Sequence, residues 1–152
     1  MKQAIVLFKP DALEVRDEYQ ESRTTVADMG RLMLVESGLT IVQENTPHLT
    51  PDDVYAMYER VLKPNPQDDA IWGTQWKREV IAHLTSRPLE ALLLEDGYAN
   101  DPISKSQMFK DKLRANYGDQ EDVVRNLVHV PDEDELDLTH AILFDSTKGV
   151  YG

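Results

Sequence analysis

The sequence predicts an α+β fold in which an antiparallel sheet is covered on one face by helices. Short apolar stretches typical of buried strands alternate with longer stretches of helical periodicity, and no repeat or linker divides the chain. With 152 residues, the chain has the length of one compact domain. We therefore expect a single domain over residues 1–152.

The first part of the chain carries the clearest element signals. Gln3 to Phe8 is short and continuously apolar and ends at a proline dipeptide, which predicts a buried strand. The acidic stretch Glu14 to Glu21 has no apolar period, so we expect a loop or a frayed helix there. Apolar residues recur at helical spacing from Thr24 to Ser37, and the glycine that follows ends this helix. Leu39 to Glu44 is predicted as a second strand.

The later elements are less regular. Thr50 can cap a helix with Pro51 at its first position, and the Lys63-Pro-Asn-Pro66 string must end that helix. The polar segment from there to Gly73 is predicted as a surface loop. The remaining predictions are a helix over Trp76 to Leu84, a strand over Pro88 to Glu95, a short helix over Gln120 to Asn126 and a final strand over Ala141 to Phe144.

Charge and composition narrow the classes of partner. Sixteen Lys and Arg against 28 Asp and Glu give a formal charge of −12, which disfavours binding to nucleic acid or to an anionic membrane. No apolar run approaches the roughly 18 residues needed to cross a bilayer, and we expect no signal peptide. The absence of cysteine excludes disulfides and cysteine nucleophiles and fits a cytoplasmic location.

Four short strings occur in an order that resembles the nucleoside diphosphate kinase family along nearly the whole chain. That family has Lys-Pro-Asp after the first strand, Leu-Thr-Pro leading to a tyrosine, Ser-Gly-Pro before the third strand, and Arg-Asn and two hydrophobic residues before a histidine. Each string alone is weak evidence for the family, whereas the order and spacing of the four strings are specific to it. The matching strings here are Lys9-Pro-Asp-Ala12, Leu49-Thr-Pro51 with Tyr58, Ser86-Arg-Pro88 and Arg125-Asn-Leu-Val-His129.

The resemblance implies a ferredoxin-like βαββαβ sandwich and a ping-pong transfer of the terminal phosphate from a nucleoside triphosphate to a diphosphate. The carrier would be a phosphohistidine at His129, and Mg²⁺ would enter bound to the nucleotide phosphates rather than to protein ligands. A neutral imidazole suits this role, although a lone histidine in an apolar string is more often structural. A homo-oligomer, at least a dimer, is also implied. The alternative is a catalytically weakened nucleotide-binding or interaction module on the same fold.

Five further side chains match family positions that hold the nucleotide. Lys9 matches the lysine that contacts the sugar hydroxyl and phosphates, with a solvated lysine as the alternative. Tyr58 matches the tyrosine near that lysine and the histidine, or packs in the core. Asn126 matches the asparagine that holds the ribose 3′-hydroxyl, or ends a helix. Arg114 matches the phosphate-binding arginine, or lies on the surface. Trp76 matches the aromatic ring on which the base stacks, or packs in the hairpin.

The chain departs from the family after the histidine. The family continues with Gly-Ser-Asp-Ser, whereas this chain has Val130-Pro-Asp-Glu133 and keeps only Asp132. The family glutamate eleven residues after the nucleophile is replaced by His140, which we expect either to accept the ring N–H of His129 or to begin the last strand and face solvent. Asp137 and Glu135 are other candidates for the glutamate's role.

A second departure follows the third strand. The chain leaves no room there for the usual helix and lacks its phosphate-binding arginine, while Asn100 stands near the usual nucleotide-binding threonine. Ile103 to Lys112 replaces the usual loop. We therefore expect a lysine of this altered loop, Lys105, Lys110 or Lys112, to supply the missing charge.

Overall fold

The computed structural model describes residues 1–119 and 122–145. Four strands, β1 (Gln3–Phe8), β2 (Leu39–Asn45), β3 (Glu90–Asp96) and β4 (Val128–His129), form one sheet in the order β2-β3-β1-β4. All three pairs of neighbouring strands are antiparallel. The predicted α+β fold with an antiparallel sheet is confirmed.

The two central strands carry continuous apolar runs, residues 4–8 in β1 and 91–94 in β3, because both of their faces are buried. Along β1, Ile5 and Leu7 face one core cluster while Val6 and Phe8 face the other. Residues of β3 alternate in the same way. Continuous apolar runs are expected for strands that are covered on both sides.

Two helices, α1 (Val26–Glu36) and α6 (Pro102–Tyr117), cover the face that carries Val6 and Phe8. Thr25 caps α1 through a reciprocal pair of hydrogen bonds with Asp28, of 3.1 and 2.9 Å. Of these two helices, the sequence predicted only α1 as a helix.

The opposite face is covered as well, by α2 (Pro51–Met57), α5 (Gln75–Ser86) and α7 (Leu136–Leu143). The predicted start of α2 is confirmed, since Thr50 and Asp53 cap it reciprocally. Two short helices, α3 (Glu59–Leu62) and α4 (Pro66–Trp72), link α2 to α5. Among the described residues, no helix is both long and apolar enough to cross a membrane.

Several predicted elements are corrected. The expected loop before Gly73 contains α4, which buries no residue and therefore has no apolar period to reveal it. The expected loop over Ile103 to Lys112 is part of α6. The expected final strand over Ala141 to Phe144 is wrong, because most of it is the end of α7, and a four-residue apolar run does not distinguish strand from helix.

The segment before β4 also differs from its prediction. Of the expected helix over Gln120 to Asn126, the first two residues lie outside the described part, and the rest form bends. Asp122 explains the bends, since its side chain accepts hydrogen bonds of 2.9 Å from the backbone N–H groups of Val124 and Arg125. The acidic stretch near the N-terminus contains one 3-10 turn, Asp17–Tyr19.

Candidate active site

A cavity of about 800 Å³ lies at the end of β1 where Lys9 leaves the sheet. Seven of the nine site residues predicted from the sequence line it: Lys9, Tyr58, Trp76, Arg114, Asn126, His129 and Asp132. They come from widely separated parts of the chain. The fold therefore brings most of the predicted site together.

Strand pairing places Lys9 beside the segment that carries the histidine. Leu7 pairs with His129 across the β1–β4 ladder, and the backbone N–H of Lys9 donates to the Leu127 carbonyl at 2.9 Å. The Lys9 side chain is only 3% exposed, and its ammonium group donates to Asn126 Oδ1 at 2.5 Å. Lys9 is thus a buried, oriented cation rather than a solvated residue at a strand end.

The chain makes a tight turn at Leu127, immediately before β4. Leu127 is buried and has a φ of 73°, and the N–H of Val128 donates to the Asn126 carbonyl at 2.9 Å. This is a γ-turn with positive φ, a conformation that costs roughly 1–3 kcal/mol for a residue with a side chain. The turn aims Asn126 and His129 into the same cavity.

Two side chains hold this turn in place. Asp11 Oδ2 accepts the Leu127 N–H at 2.9 Å, and Asp11 Oδ1 lies 2.9 Å from His83 Nε2 on α5. Arg114 donates from Nε to the Asn126 carbonyl at 3.0 Å and from Nη2 to the Val128 carbonyl at 2.6 Å. Sequence reasoning missed the roles of Asp11 and His83. Asp11 belongs to the Lys9-Pro-Asp string, which could have indicated its role. His83 belongs to no such string, so its sequence neighbours provided no indication of its role.

The His129 ring is packed against Tyr58, with ring centroids 4.4 Å apart and an interplanar angle of 37°. Its Nε2 is buried and has no hydrogen-bond partner among the described residues. Burial, reinforced by the positive charges of Lys9 and Arg114, lowers the pKa of His129 to about 3. The imidazole is therefore neutral at physiological pH, which is the form with a free nucleophilic nitrogen.

Four cationic side chains line the cavity: Lys9, Arg60, Lys110 and Arg114. Burial, with help from the charge of Arg114, lowers the pKa of Lys9 to about 8, while Asp11 opposes this shift. Burial also lowers the pKa of Arg114. Of the three lysines expected to supply replacement charge, only Lys110 lines the cavity. Lys105 is instead tied to the Ser37 carbonyl at 3.2 Å and to Asp96 at 3.0 Å.

The two aromatic residues predicted for the site line the cavity. Tyr58 also belongs to a core cluster, so core packing and contact with the cavity are compatible, and burial raises its pKa. Trp76 is half-buried, and its Nε1 donates to the Gly73 carbonyl at 3.1 Å. Trp72, at the end of α4, lines the cavity too. It was missed because its segment was predicted to be a loop.

Asn100 and His140 are not brought to the cavity. Asn100 Oδ1 accepts from the backbone N–H of Lys2 at 2.8 Å, so it lies near the start of β1. This follows from the antiparallel pairing, which puts the end of β3 beside the start of β1, far from Lys9. His140 lies in the last turn of α7 and stacks on Phe144 with a centroid distance of 5.1 Å. It neither begins a strand nor contacts His129.

Carboxylates line another side of the cavity. Oxygens of Asp132, Asp134 and Glu135 lie within 4.8 Å of one another, and Arg60 forms ion pairs with all three residues. Asp132 also accepts from Gln107 Nε2 at 3.1 Å. Asp132 and Glu135 line the cavity itself, so they are the carboxylates that a divalent metal ion in the cavity would meet.

The sequence matches no protein-family model and no curated protein. Its structure is similar to a nucleoside diphosphate kinase from Halobacterium salinarum in complex with CDP, with a TM-score of 0.66 and 19% identity over 99% of this chain and 92% of that one. It is also similar to the nucleoside diphosphate kinase from Aquifex aeolicus, with a TM-score of 0.60 and 18% identity over 98% of this chain and 99% of that one. A nucleoside diphosphate kinase family protein from Babesia bovis is similar as well, with a TM-score of 0.61 and 17% identity over 100% of this chain and 94% of that one. The chain thus has the fold of these proteins.

Proposed function

We propose that this protein moves the terminal phosphate of a nucleoside triphosphate to a nucleoside diphosphate or a related nucleotide, in two steps, through His129. One observation carries this proposal. A neutral, packed imidazole stands in a cavity with Lys9, Lys110 and Arg114, on a fold shared with nucleoside diphosphate kinases. A nucleophile surrounded by cations suits a reaction whose barrier falls mainly through positioning and charge neutralisation.

In the first step, a nitrogen of His129 forms a bond to the terminal phosphorus while the bond from that phosphorus to the bridging oxygen breaks. The nucleoside diphosphate leaves, and a second diphosphate then takes the phosphate from His129 by the reverse displacement. Nε2 is buried, and we therefore propose Nδ1 as the nitrogen that attacks the phosphate. Splitting the transfer lets donor and acceptor use one site in turn.

The surrounding residues have distinct tasks in this proposal. Lys9 and Arg114 neutralise phosphate charge, and Arg114 also keeps the turn before His129 in place. Asn126 and Lys9 form a preformed pair at the position expected to meet the sugar hydroxyl. Tyr58 supports the imidazole ring from one face. Trp76 provides a flat surface for the base, and such stacking discriminates weakly between bases.

Magnesium fits this site as part of the substrate. Bound to the phosphates, Mg²⁺ would neutralise part of their charge, and Asp132 and Glu135 are the residues of the cavity suited to hold it or its waters. Their existing ion pairs with Arg60 would compete with the metal. A direct all-protein magnesium site is therefore not part of the proposal.

The alternative function is a nucleotide-binding module with little or no turnover. One observation favours it: no described carboxylate hydrogen-bonds to the His129 ring, and its buried Nε2 is unpaired. Without such a partner, the positive charge that develops on the ring during phosphorylation has no nearby compensation.

Labelling separates the two functions. ATP labelled at the terminal phosphate should leave an acid-labile, alkali-stable adduct on the wild-type protein, and a diphosphate should remove it. His129→Ala should abolish the adduct and keep measurable nucleotide binding, whereas the control His140→Ala, outside the cavity, should label normally. Nucleotide binding without any adduct would establish the binding module instead.

Assembly and location complete the proposal. We expect a homo-oligomer, at least a dimer, because β2 is an edge strand with no neighbour on one side in the described chain. A cytoplasmic location stays a prediction that fits the absence of cysteine, and the lack of nucleic-acid or membrane partners stays a prediction supported by the formal charge of −12.

A further inference from the structure

Helix α4 is linked to α5 by polar contacts, and none of its residues is buried. Lys77 of α5 forms an ion pair with Asp69 at 2.8 Å and donates to the Lys63 carbonyl at 3.0 Å, which ties both sides of α4 to α5. Gly73, with a φ of 75°, then turns the chain from α4 into α5. α4 therefore adds no buried residue to the core, and these contacts fix where its side chains lie.

Trp72 is the side chain that α4 holds over the cavity. It is 74% exposed, yet it lines the cavity together with the half-buried Trp76. Val61, which is 51% exposed, continues the same apolar wall. Trp76 is thus the more buried indole of this wall and Trp72 the more exposed one. An exposed indole beside other exposed apolar groups at a cavity marks a surface that a ligand can cover.

The charges of the cavity define which end of a nucleotide reaches this wall. Lys9, Lys110 and Arg114 surround His129 and attract the phosphates. The base must then extend toward the apolar side, where the two indole rings lie. Each aromatic ring that stacks on a base adds to the affinity for the nucleotide.

We propose that Trp72 is a second base-binding residue, and that a base in contact with both Trp72 and Trp76 makes the site prefer purine nucleotides. This inference rests on the proposed function in taking a nucleotide as the ligand. A two-ring purine covers more of an extended aromatic wall than a one-ring pyrimidine, so the outer indole benefits purines more. Trp76 alone serves both kinds of base.

Fluorescence can observe the contact directly, because these are the two tryptophans of the chain. In the variant Trp76→Phe, all indole emission comes from Trp72. Titration with a purine nucleoside diphosphate should quench or shift that emission to saturation. Pyrophosphate and ribose 5-phosphate, which lack a base, should leave it unchanged. Emission that does not respond to a bound purine nucleotide would overturn the inference.

Affinity supplies the second measurement. Trp72→Ala should weaken calorimetric binding of purine nucleoside diphosphates about tenfold, the effect of losing about 1.4 kcal/mol of stacking, and should change pyrimidine binding much less. Ile71→Ala is the matched control, since Ile71 is 71% exposed on the same helix and does not line the cavity. Equal losses for purines and pyrimidines, or no loss, would refute the purine preference.

The outcomes separate this inference from the proposed function. If the wild type forms the His129 adduct and Trp72→Ala binds purines normally, the function stands and the inference is wrong. If purines bind and perturb Trp72 but no adduct forms, the inference stands and the transferase is wrong. A wild type that binds no nucleotide contradicts both.

Discussion

At the scale of single residues, the site depends on polar groups that are taken out of water. Lys9 and His129 sit in an environment that disfavours their charged forms, so burial lowers the pKa of each. Leu127 adopts a backbone conformation that its side chain disfavours, and Asp11 and Arg114 offset that cost with hydrogen bonds. Such costs are common at functional sites, where the surrounding structure holds an unfavourable conformation in place.

The lowered pKa of His129 predicts how stability depends on pH. The pKa is about 3 in the folded protein and about 6.5 in an unfolded chain, so the unfolded state binds more protons between these values. The contribution of the neutral ring to stability is therefore complete above pH 6.5 and is lost progressively as the pH falls toward 3. His129→Gln removes this titration. Urea denaturation should show a smaller loss of stability from pH 7 to pH 5 for the variant than for the wild type, and parallel curves would contradict the burial argument.

At the scale of elements, residues at the start of α6 hold a neighbouring loop, whereas residues further along the helix line the cavity. Lys105, near its start, binds Asp96, a fully buried carboxylate that also accepts from the N–H groups of Tyr98 and Asp101. Further along, Lys110 and Arg114 line the cavity, one helical turn apart. A single helix thus anchors the loop after β3 and supplies charge to the site.

Lys110 is therefore predicted to be the lysine that replaces the missing arginine. Lys110→Ala should weaken binding of a nucleoside diphosphate by tenfold or more, since a charge-assisted hydrogen bond contributes about 1.5–3 kcal/mol. Lys112→Ala is the matched control, because Lys112 is exposed on the same helix and does not line the cavity. Calorimetric titration of both variants tests this. Equal effects would mean that Lys110 acts only through the overall charge of the protein.

The packing of α1 on the sheet depends on one glycine. A Cβ atom added to Gly30 would lie 2.8 Å from Cε1 of Phe8, whose ring is fully buried and packs edge-on against Phe109. Overpacking of this kind costs about 1–3 kcal/mol, which exceeds the gain of up to about 1 kcal/mol from alanine in a helix. Gly30→Ala should therefore lower the urea midpoint. Gly97→Ala, where no atom lies within 4 Å of the added Cβ, should not.

At the scale of the whole molecule, helices cover the two faces of the sheet, whereas the β2 edge has no neighbouring strand among the described residues. β2 lies at the end of the sheet, and exposed apolar side chains stand on it and on the neighbouring α1: Val42, Leu32 and Val35. A second copy of the chain could pair its own β2 with this strand around a two-fold axis, which would satisfy the open backbone groups and cover these side chains.

This arrangement predicts a dimer that charge can disrupt. Light scattering of the wild type should give twice the chain mass of 17.4 kDa. The double variant Leu32→Asp, Val35→Asp should give the mass of one chain with an unchanged circular dichroism spectrum. Leu138→Asp, at an exposed position on α7, should remain dimeric. A wild type that is monomeric at micromolar concentration, or a double variant that still forms dimers, would exclude this interface.

The sequence by itself determined the features that depend on neighbours within a few positions. The apolar run of β1, the capped starts of α1 and α2 and the Arg-Asn-Leu-Val-His string are of this kind, since caps and periodicity involve residues three or four apart. These features were enough to predict an α+β fold and seven of the residues that line the cavity.

Only the tertiary structure decided which distant residues meet. Asp11 and Leu127 are 116 positions apart and Asp11 and His83 are 72 apart, so their contacts exist only through the register of β1 with β4 and the packing of α5. The same long-range geometry sends Asn100 to the far end of the sheet and puts Trp72 on the cavity wall. Local patterns do not encode such pairings, because strand order and helix packing are settled by burial of the whole chain at once.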